Sequence, residues 1–184
     1  MNYCSHCGQP VEQCIPEGDN LPRHVCTVCH TIHYENPKIV AACIGEWEDR
    51  ILLCRRAIEP RHGLWTLPAG FMENRESTRE AALRETWEEA RARVDIQSLY
   101  AVYSIPHISQ VYMVFRGPLI EPAYEAGPES LAVELFREQD IPWETLAFPV
   151  MEKTLRQYFS DRDQGRHQSA THVGEITRPM GDQP

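Results

Sequence analysis

The chain has 184 residues, of which 42% are hydrophobic, and its formal net charge is −9. This length suits one medium-sized domain with a small appendage. The acidic balance argues against an extended nucleic-acid footprint, which normally needs a basic face. No stretch approaches the roughly 20 apolar residues that span a bilayer, and the N-terminus does not begin a signal peptide, so we expect no membrane association and a cytoplasmic location.

Residues 1–35 carry two C-x2-C motifs, which end at Cys7 and Cys29 and are separated by 18 residues. This spacing is typical of a Cys4 zinc site. A segment this short has no core of its own, so a structural Zn²⁺ would supply its folding free energy. Two disulfides are the alternative, but nothing in the sequence points to an oxidising compartment. The predicted zinc ligands are Cys4, Cys7, Cys26 and Cys29. Five nearby residues could bind zinc in principle but are interpreted as non-ligands: His6, His24, His30, His33 and Cys14.

From Lys38 the pattern changes to apolar, β-type runs. The runs 39–44 and 51–54 flank a polar turn and predict a buried hairpin, in which Cys43 and Cys54 are small core residues. Further strands are predicted at 94–105, 110–116 and 131–136, and a closing helix at 151–158. Strands and helices in this order predict a mixed α/β sandwich.

Residues 70–92 indicate a metal-binding loop followed by a helix. Ser77 and Glu80 have the spacing of a capping box, and no Gly or Pro interrupts residues 78–90. One face of this helix carries Glu85, Glu88 and Glu89. The opposite face, predicted to be buried, carries Ala82, Leu83, Thr86, Trp87 and Ala90.

Like charges at i,i+4 cost ~0.2–0.5 kcal/mol even on a solvated helix. The three glutamates therefore form either a solvated charged face or a carboxylate cluster for Mg²⁺ or Mn²⁺, which prefer oxygen ligands.

The stretch resembles the Nudix box, G-x5-E-x7-R-E-U-x-E-E-x-G-U, in which U is a bulky aliphatic residue. Thr86 replaces the first U and Arg91 replaces the last Gly. Arg91 therefore either adopts a left-handed conformation, at a cost of ~1 kcal/mol, or lets the helix continue. The positions that match at the expected intervals are Gly70, Glu76, Arg84, Glu85, Glu88 and Glu89, and the family-like run 63–69 precedes them.

This resemblance implies a Nudix α/β/α sandwich with a mixed β-sheet and a metal-dependent hydrolase that cleaves a pyrophosphate bond. It implies that the Gly70 carbonyl and the three glutamates bind catalytic Mg²⁺ or Mn²⁺, and that Arg84 and Glu76 hold those glutamates by ion pairing. The general base is either a box carboxylate or a glutamate of the acidic loop 121–130, with Glu129 preferred. The candidates for phosphate contact are Arg55, Arg56 and Arg61.

The Cys4 ribbon, the segment 34–38 and the segment 127–130 sharpen the resemblance to zinc-ribbon Nudix hydrolases related to ADP-ribose and FAD pyrophosphatases. The implied substrate is a nucleoside diphosphate derivative of the FAD or ADP-ribose type, which is cleaved to AMP and a phosphorylated partner. The analogy also implies a homodimer. The aromatic candidates for stacking a flavin or adenine ring are Trp65, Phe71, Tyr103 and Tyr112.

Two alternatives differ from this interpretation. NADH pyrophosphatases also combine a zinc ribbon with a Nudix box, but they carry a Gln-Pro-Trp-Pro-Phe-Pro stretch that residues 103–112 do not match. A non-enzymatic nucleotide sensor would use the ribbon as an interaction module, but it would have no need of three intact glutamates.

The C-terminal stretch is polar and contains several Gly and Pro residues, so its composition predicts a loose tail. The predicted organisation is a zinc ribbon at 1–35, a Nudix hydrolase domain at 36–160 and a C-terminal tail at 161–184.

Overall fold

The computed structural model describes residues 1–177, which form two compact units that divide after Pro37. Residues 178–184 of the predicted tail lie outside the described residues. No helix within residues 1–177 is long and apolar enough to cross a lipid bilayer.

The N-terminal unit is a small antiparallel sheet of three strands. These are β1 (Val11–Cys14), β2 (Arg23–Cys26) and β3 (Ile32–His33), and β2 lies in the centre. Because Val11 pairs with Cys26, the second C-x2-C motif begins at the open end of the β1–β2 hairpin, away from its turn.

The second unit is built on one large mixed sheet. The order of its main strands is β10-β5-β4-β9-β8-β11, while β6 pairs with β5 and β7 pairs with β4. The pairs β4–β9 and β8–β11 are parallel, and the other pairs are antiparallel. The strands are β4 (Lys38–Trp47), β5 (Arg50–Arg56), β6 (Trp65–Thr66), β7 (Ala69–Phe71), β8 (Ser98–Ile105), β9 (Gln110–Pro118), β10 (Ser130–Arg137) and β11 (His172–Glu175).

Within residues 38–177, two α-helices cover the sheet, α1 (Thr78–Ala90) and α2 (Pro149–Asp163). Short 3₁₀ helices occur at Pro106–Ile108, Glu138–Asp140 and Trp143–Thr145.

The alternation of side chains along β4 explains why each face of the sheet has its own apolar cluster. Val40, Ala42 and Ile44 pack in the cluster that includes residues of α2, whereas Ala41 and Cys43 pack in the cluster that includes residues of α1. The predicted α/β/α sandwich with a mixed sheet is therefore confirmed.

Cys43 and Cys54 are buried core residues, as predicted. Burial raises the pKa of the Cys43 thiol to about 12 and raises that of Cys54 as well. Both thiols are therefore protonated at neutral pH and serve as packing groups.

The C-terminal region differs from the loose tail that its composition predicts. Helix α2 continues to Asp163, and β11 pairs in parallel with β8 from His172 opposite Ala101 to Glu175 opposite Ser104. An edge strand pairs with a neighbouring strand on one side only, so a short polar segment that contains Gly174 can form this strand.

Candidate active site

The capping box fixes the start of α1. The Glu80 N–H donates to Ser77 Oγ at 3.3 Å, and the Ser77 N–H donates to Glu80 Oε2 at 2.7 Å. The helix ends at Ala90, because Arg91 adopts a left-handed conformation with φ of 51° and its N–H donates to the Trp87 carbonyl at 2.9 Å. Arg91 therefore adopts the left-handed conformation, and the helix does not continue past it.

The predicted division of α1 into an acidic face and a buried face is wrong at two positions. Trp87 is 42% exposed, with the Arg91 and Arg93 guanidinium groups near its ring, whereas Glu89 is only 6% exposed. Taking Ala82 as the centre of the buried face, 100° per residue places Glu89 about 20° away and Trp87 about 140° away. The buried stripe therefore includes one of the glutamates.

Strand β7 brings the backbone against the carboxylates of α1. The Ala69 N–H donates to Glu89 Oε2 at 3.1 Å. A Cβ atom at Gly70 would overlap the Glu85 carboxylate, so only glycine permits this approach. The backbone of β7 and two of the three glutamates thus converge on one place.

Arg84 connects the glutamates to the loop before the helix. Its guanidinium donates to both Glu76 oxygens at 3.0 and 2.8 Å, to Glu85 at 2.7 Å and to Glu88 at 2.9 Å, and it also donates to the Phe71 carbonyl at 3.0 Å. These bonds fix the orientation of Glu85 and Glu88 while the Glu76–Arg84 pair anchors the loop.

Burial and hydrogen bonding separate the acidities of these carboxyl groups. Burial raises the pKa of Glu89 to about 8, against the lowering effect of the Ala69 N–H. Burial also raises the pKa of Glu85, although Arg84 opposes this. The bonds from Arg84 lower the pKa of Glu76. A solvated charged face does not describe such a cluster, since only Glu88 among the box glutamates is exposed.

Glu129 reaches the same region on the loop that precedes β10. The Gly127 N–H donates to the Glu89 carbonyl at 3.0 Å, and a Cβ atom at position 127 would overlap the Glu88 carbonyl. The Ala57 N–H donates to the Glu129 carbonyl at 2.8 Å. These bonds dock the loop on the end of α1 and bring the negative charge of Glu129 close enough to raise the pKa of Glu85 and Glu89.

A cleft of about 1150 Å³ contains these groups. Arg56 and Arg61 line it, whereas Arg55 lies outside its lining and donates from Nε to the Gly63 carbonyl at 2.9 Å. The Arg56 guanidinium lies 5.3 Å from the centre of the Phe148 ring. Of the aromatic candidates, Phe71 and Tyr112 line the cleft, while Tyr103 and Trp65 pack elsewhere.

Apart from Tyr112, the sequence did not reveal the apolar wall of the cleft on the α2 side. Its members come from β4, β8, β9, the start of α2 and the segment after β11, and they meet only in the fold: Val40, Ile105, Tyr112, Phe148, Val150 and Ile176. The one available signal was the apolar sequence around Phe148 at the start of α2, and that signal does not distinguish a wall from a core.

The four cysteines of the two C-x2-C motifs form a separate cluster in the N-terminal unit, with their sulfur atoms within 4.8 Å of one another. Cys7 Sγ lies 3.4 Å from the Sγ atoms of both Cys26 and Cys29, and Cys4 Sγ lies 3.7 Å from Cys29 Sγ. Tetrahedral Zn–S bonds of ~2.3 Å place sulfur atoms about 3.8 Å apart, so the quartet fits zinc.

Hydrogen bonds to sulfur support this quartet. The His6 N–H donates to Cys4 Sγ at 3.4 Å, and the Val28 and Cys29 N–H groups donate to Cys26 Sγ at 3.5 and 3.4 Å. The Thr31 hydroxyl and backbone hold the pKa of Cys29 at about 6. The four cysteines form no disulfides. His33 Nε2 lies 3.3 Å from Cys4 Sγ.

Two family models match consecutive parts of the chain. The Nudix N-terminal model, a zinc ribbon, matches residues 2–35, and the NUDIX domain model matches residues 36–158.

Named relatives and solved structures are similar to this chain over different lengths. The ADP-ribose pyrophosphatase of Methanocaldococcus jannaschii is 33% identical over 131 residues, which cover 68% of this chain and 75% of that protein. The NAD-capped RNA hydrolase NudC of Edwardsiella ictaluri is 35% identical over 94 residues, which cover 50% of this chain and only 34% of that protein. The crystal structure of a NUDIX hydrolase from Nitrosomonas europaea is 56% identical with a TM-score of 0.92 and covers 97% of this chain and 100% of that one.

Proposed function

This chain belongs to the Nudix hydrolase family, and from that premise we propose that it cleaves the pyrophosphate bond of a nucleoside diphosphate derivative. ADP-ribose is the proposed type of substrate, and the products are AMP and ribose 5-phosphate. FAD belongs to the same chemical class. The similarity to the ADP-ribose pyrophosphatase of Methanocaldococcus jannaschii supports this choice.

The observation that carries the proposal is the convergence of Glu85, Glu88 and Glu89 with Gly70 at one side of a large cleft. Among the described residues, the buried Glu89 carboxylate receives one hydrogen bond, from the Ala69 N–H. A buried carboxylate without a compensating cation is costly, so a divalent cation fits here. The three glutamates and the Gly70 carbonyl would hold Mg²⁺ or Mn²⁺, which supplies charge neutralisation at the phosphates and a more acidic bound water.

The protein's own side chains have distinct proposed roles. Arg84 is a positioning residue that orients Glu85 and Glu88 through its bonds to Glu76 and the Phe71 carbonyl. Arg56 and Arg61 bind phosphate oxygens, and Tyr112 packs against the organic part of the substrate. Arg55, whose Nε is bonded to the Gly63 carbonyl, supports the loop that carries Arg61.

Glu129 is the proposed general base. The oxygen of a water molecule attacks one phosphorus atom, and its proton passes to the Glu129 carboxylate. The bond between that phosphorus and the bridging oxygen then breaks, and the bridging oxygen leaves with its electron pair on the second phosphate. The attachment of the Glu129 loop to the end of α1 supports this role, since it keeps the carboxylate beside the cluster.

An NADH- or NAD-type diphosphate is the second candidate substrate. The similarity to NudC favours it, although the match covers only 34% of that protein. The complete carboxylate cluster favours either enzyme over the nucleotide sensor.

The ribbon is proposed to bind one structural Zn²⁺ through Cys4, Cys7, Cys26 and Cys29, as their spacing supports. Free cysteines of this kind suit a reducing compartment such as the cytoplasm. A homodimer remains a proposal from family analogy, and light scattering at micromolar concentration tests it: a monomer would contradict it.

Turnover of ADP-ribose, FAD and NADH with Mg²⁺ and with Mn²⁺ tests the proposed function. We expect hydrolysis of ADP-ribose to AMP and ribose 5-phosphate, with no turnover after chelation of divalent metal. Glu129→Gln should lower kcat by about a hundredfold, whereas Glu134→Gln on β10 should not. Absence of metal-dependent hydrolysis of every diphosphate would contradict the proposal.

A further inference from the structure

The segment from β11 to Thr177 lies outside the NUDIX domain match, which ends at residue 158. We call residues 172–177 the strap. Its strand adds to the sheet edge next to β8, and the Ile176 N–H then donates to the Ser104 carbonyl at 2.9 Å. Ile176 packs against the apolar cluster on the α2 face, and Ile176 and Thr177 line the cleft.

Polar groups hold the strap in place. His172 Nε2 donates to Asp161 Oδ2 at 2.5 Å, and Lys153 Nζ donates to the Glu175 carbonyl at 3.0 Å. Gly174 allows close approach, since a Cβ atom there would lie 3.2 Å from the Tyr103 ring. The position of Ile176 therefore depends on contacts that the rest of the strap makes with α2 and β8.

Asp161 is the anchor of this arrangement. Its side chain is fully buried and also accepts hydrogen bonds from the Tyr100 hydroxyl at 2.8 Å and from Arg166 at 3.1 Å. A buried carboxylate with several donors fixes its partners more rigidly than a solvated one does. The His172–Asp161 bond thus joins the strap to the core of the unit.

The chemistry of the cleft differs between its two sides. The α1 side carries carboxylates, and Arg56 also lines the cleft, with its guanidinium over the ring of Phe148. The α2 side is mostly apolar, with Val40, Ile105 and Ile176 beside the ring of Tyr112. A ribose phosphate placed against these aliphatic side chains would find few hydrogen-bond partners for its hydroxyl groups, whereas a nucleobase would present apolar ring faces.

Resting on the proposed function, we infer that the strap forms the wall for the nucleobase half of the substrate, with Ile176 as its specificity-determining residue. His172 is a positioning residue that acts through Asp161.

Equilibrium binding of AMP and of ribose 5-phosphate to the full, zinc-loaded chain tests this inference without requiring turnover. Ile176→Ala should raise the Kd of AMP about tenfold, because it removes apolar contact with the base, and should leave ribose 5-phosphate unchanged. Ile176→Leu keeps the apolar contact and should stay within about twofold of the original protein. Val173→Ala is the matched control, since Val173 is on the same strand but is 82% exposed.

Unchanged AMP binding in Ile176→Ala, equal weakening of both ligands, or no AMP binding by the original protein would overturn the inference. If Ile176→Ala does not fold, Ile176→Val replaces it, with an expected increase in Kd of about threefold. If the original protein does not hydrolyse ADP-ribose, the proposed function is overturned instead. Comparison of AMP binding by the original protein and by Ile176→Ala would still test whether Ile176 contacts the nucleobase.

His172 is tested by hydrogen exchange of the strap together with AMP binding. His172→Ala should speed exchange at the Ile176 amide and raise the Kd of AMP severalfold. His172→Gln, which retains an N–H donor for Asp161, should restore both. Faster exchange without weaker AMP binding, or failure of His172→Gln to restore binding, would overturn the positioning role.

Discussion

The two units of the chain differ in what they bury. In residues 1–37 the buried hydrophobic side chains are those of Cys4 and Cys26, whereas the second unit buries an apolar cluster on each face of its sheet. The first unit has three short strands, and its four clustered cysteines lie at the end of β2 and in the segments outside the strands. The second has strands such as β4, whose alternate residues pack on opposite sides.

This difference shows how chain length decides the source of stability. A segment of this size cannot bury enough apolar surface to offset its conformational entropy, and the Zn²⁺ proposed for the four cysteines would supply the missing stability. The larger unit has enough buried surface to fold by packing, and it can therefore tolerate the cost of burying an ionisable group such as Glu89, whose pKa is raised to about 8.

The largest expected effect breaks the first half of this comparison. Cys26→Ser should abolish binding of the single Zn²⁺ and unfold residues 1–37, while the second unit keeps its own thermal transition. Zinc content and hydrogen exchange measure both outcomes. Cys14→Ser is the matched control, because Cys14 lies in the same unit but outside the quartet. A folded, zinc-free ribbon in Cys26→Ser would contradict the prediction.

The next prediction concerns the charges that the larger unit tolerates. Glu88→Gln and Glu89→Gln should each lower kcat at least a hundredfold, as expected when a charge-stabilising group worth ~3 kcal/mol is lost. In the metal-free protein, Glu89→Gln should raise the melting temperature more than Glu88→Gln, since Glu89 is buried and Glu88 is exposed.

Kinetics and thermal melts with and without Mg²⁺ measure these two effects, and Glu152→Gln on α2 is the control. Near-normal hydrolysis in both variants would show that the cluster does not bind catalytic metal.

Packing of the larger unit is tested at Leu155, which is fully buried beneath the sheet on α2. Leu155→Ala should lower the free energy of unfolding of this unit by ~2–5 kcal/mol and leave zinc binding by the ribbon unchanged. Leu131→Ala, at a half-exposed position on β10, should change the same free energy by less than ~0.5 kcal/mol. Urea denaturation gives both values, and equal losses would contradict the assignment of the core.

The local features of this molecule were predictable from sequence, and those that depend on distant chain segments were not. Ser77 and Glu80 lie three residues apart, and their reciprocal bonds were predicted from that spacing. The burial of Glu89 and the exposure of Trp87 depend on how α1 is rotated against the sheet, and the sheet is built mostly by other segments. Ile176 reaches the cleft only because β11 pairs with β8, some 70 residues earlier in the chain.

The smallest effect concerns the Asp161 carboxylate, a buried charged group of the larger unit. Burial alone would raise the pKa of Asp161, but hydrogen bonds from His172 and Tyr100 outweigh it and lower that pKa below its usual value. A carboxyl group with a lowered folded-state pKa stabilises the protein above its unfolded pKa of about 3.9, and this stabilisation disappears as pH falls through the folded value.

Asp161→Asn should therefore lower the free energy of unfolding at pH 7 by ~1 kcal/mol, because neutral hydrogen bonds replace charge-assisted ones. Its stability should then fall less than that of the original protein between pH 5 and about pH 2, since the titrating group is gone. Urea denaturation across this pH range measures the difference. Asp163→Asn, at the exposed end of α2, should retain the original acid dependence. An identical acid dependence in Asp161→Asn would show that the carboxylate beneath the strap contributes no charge-dependent stability.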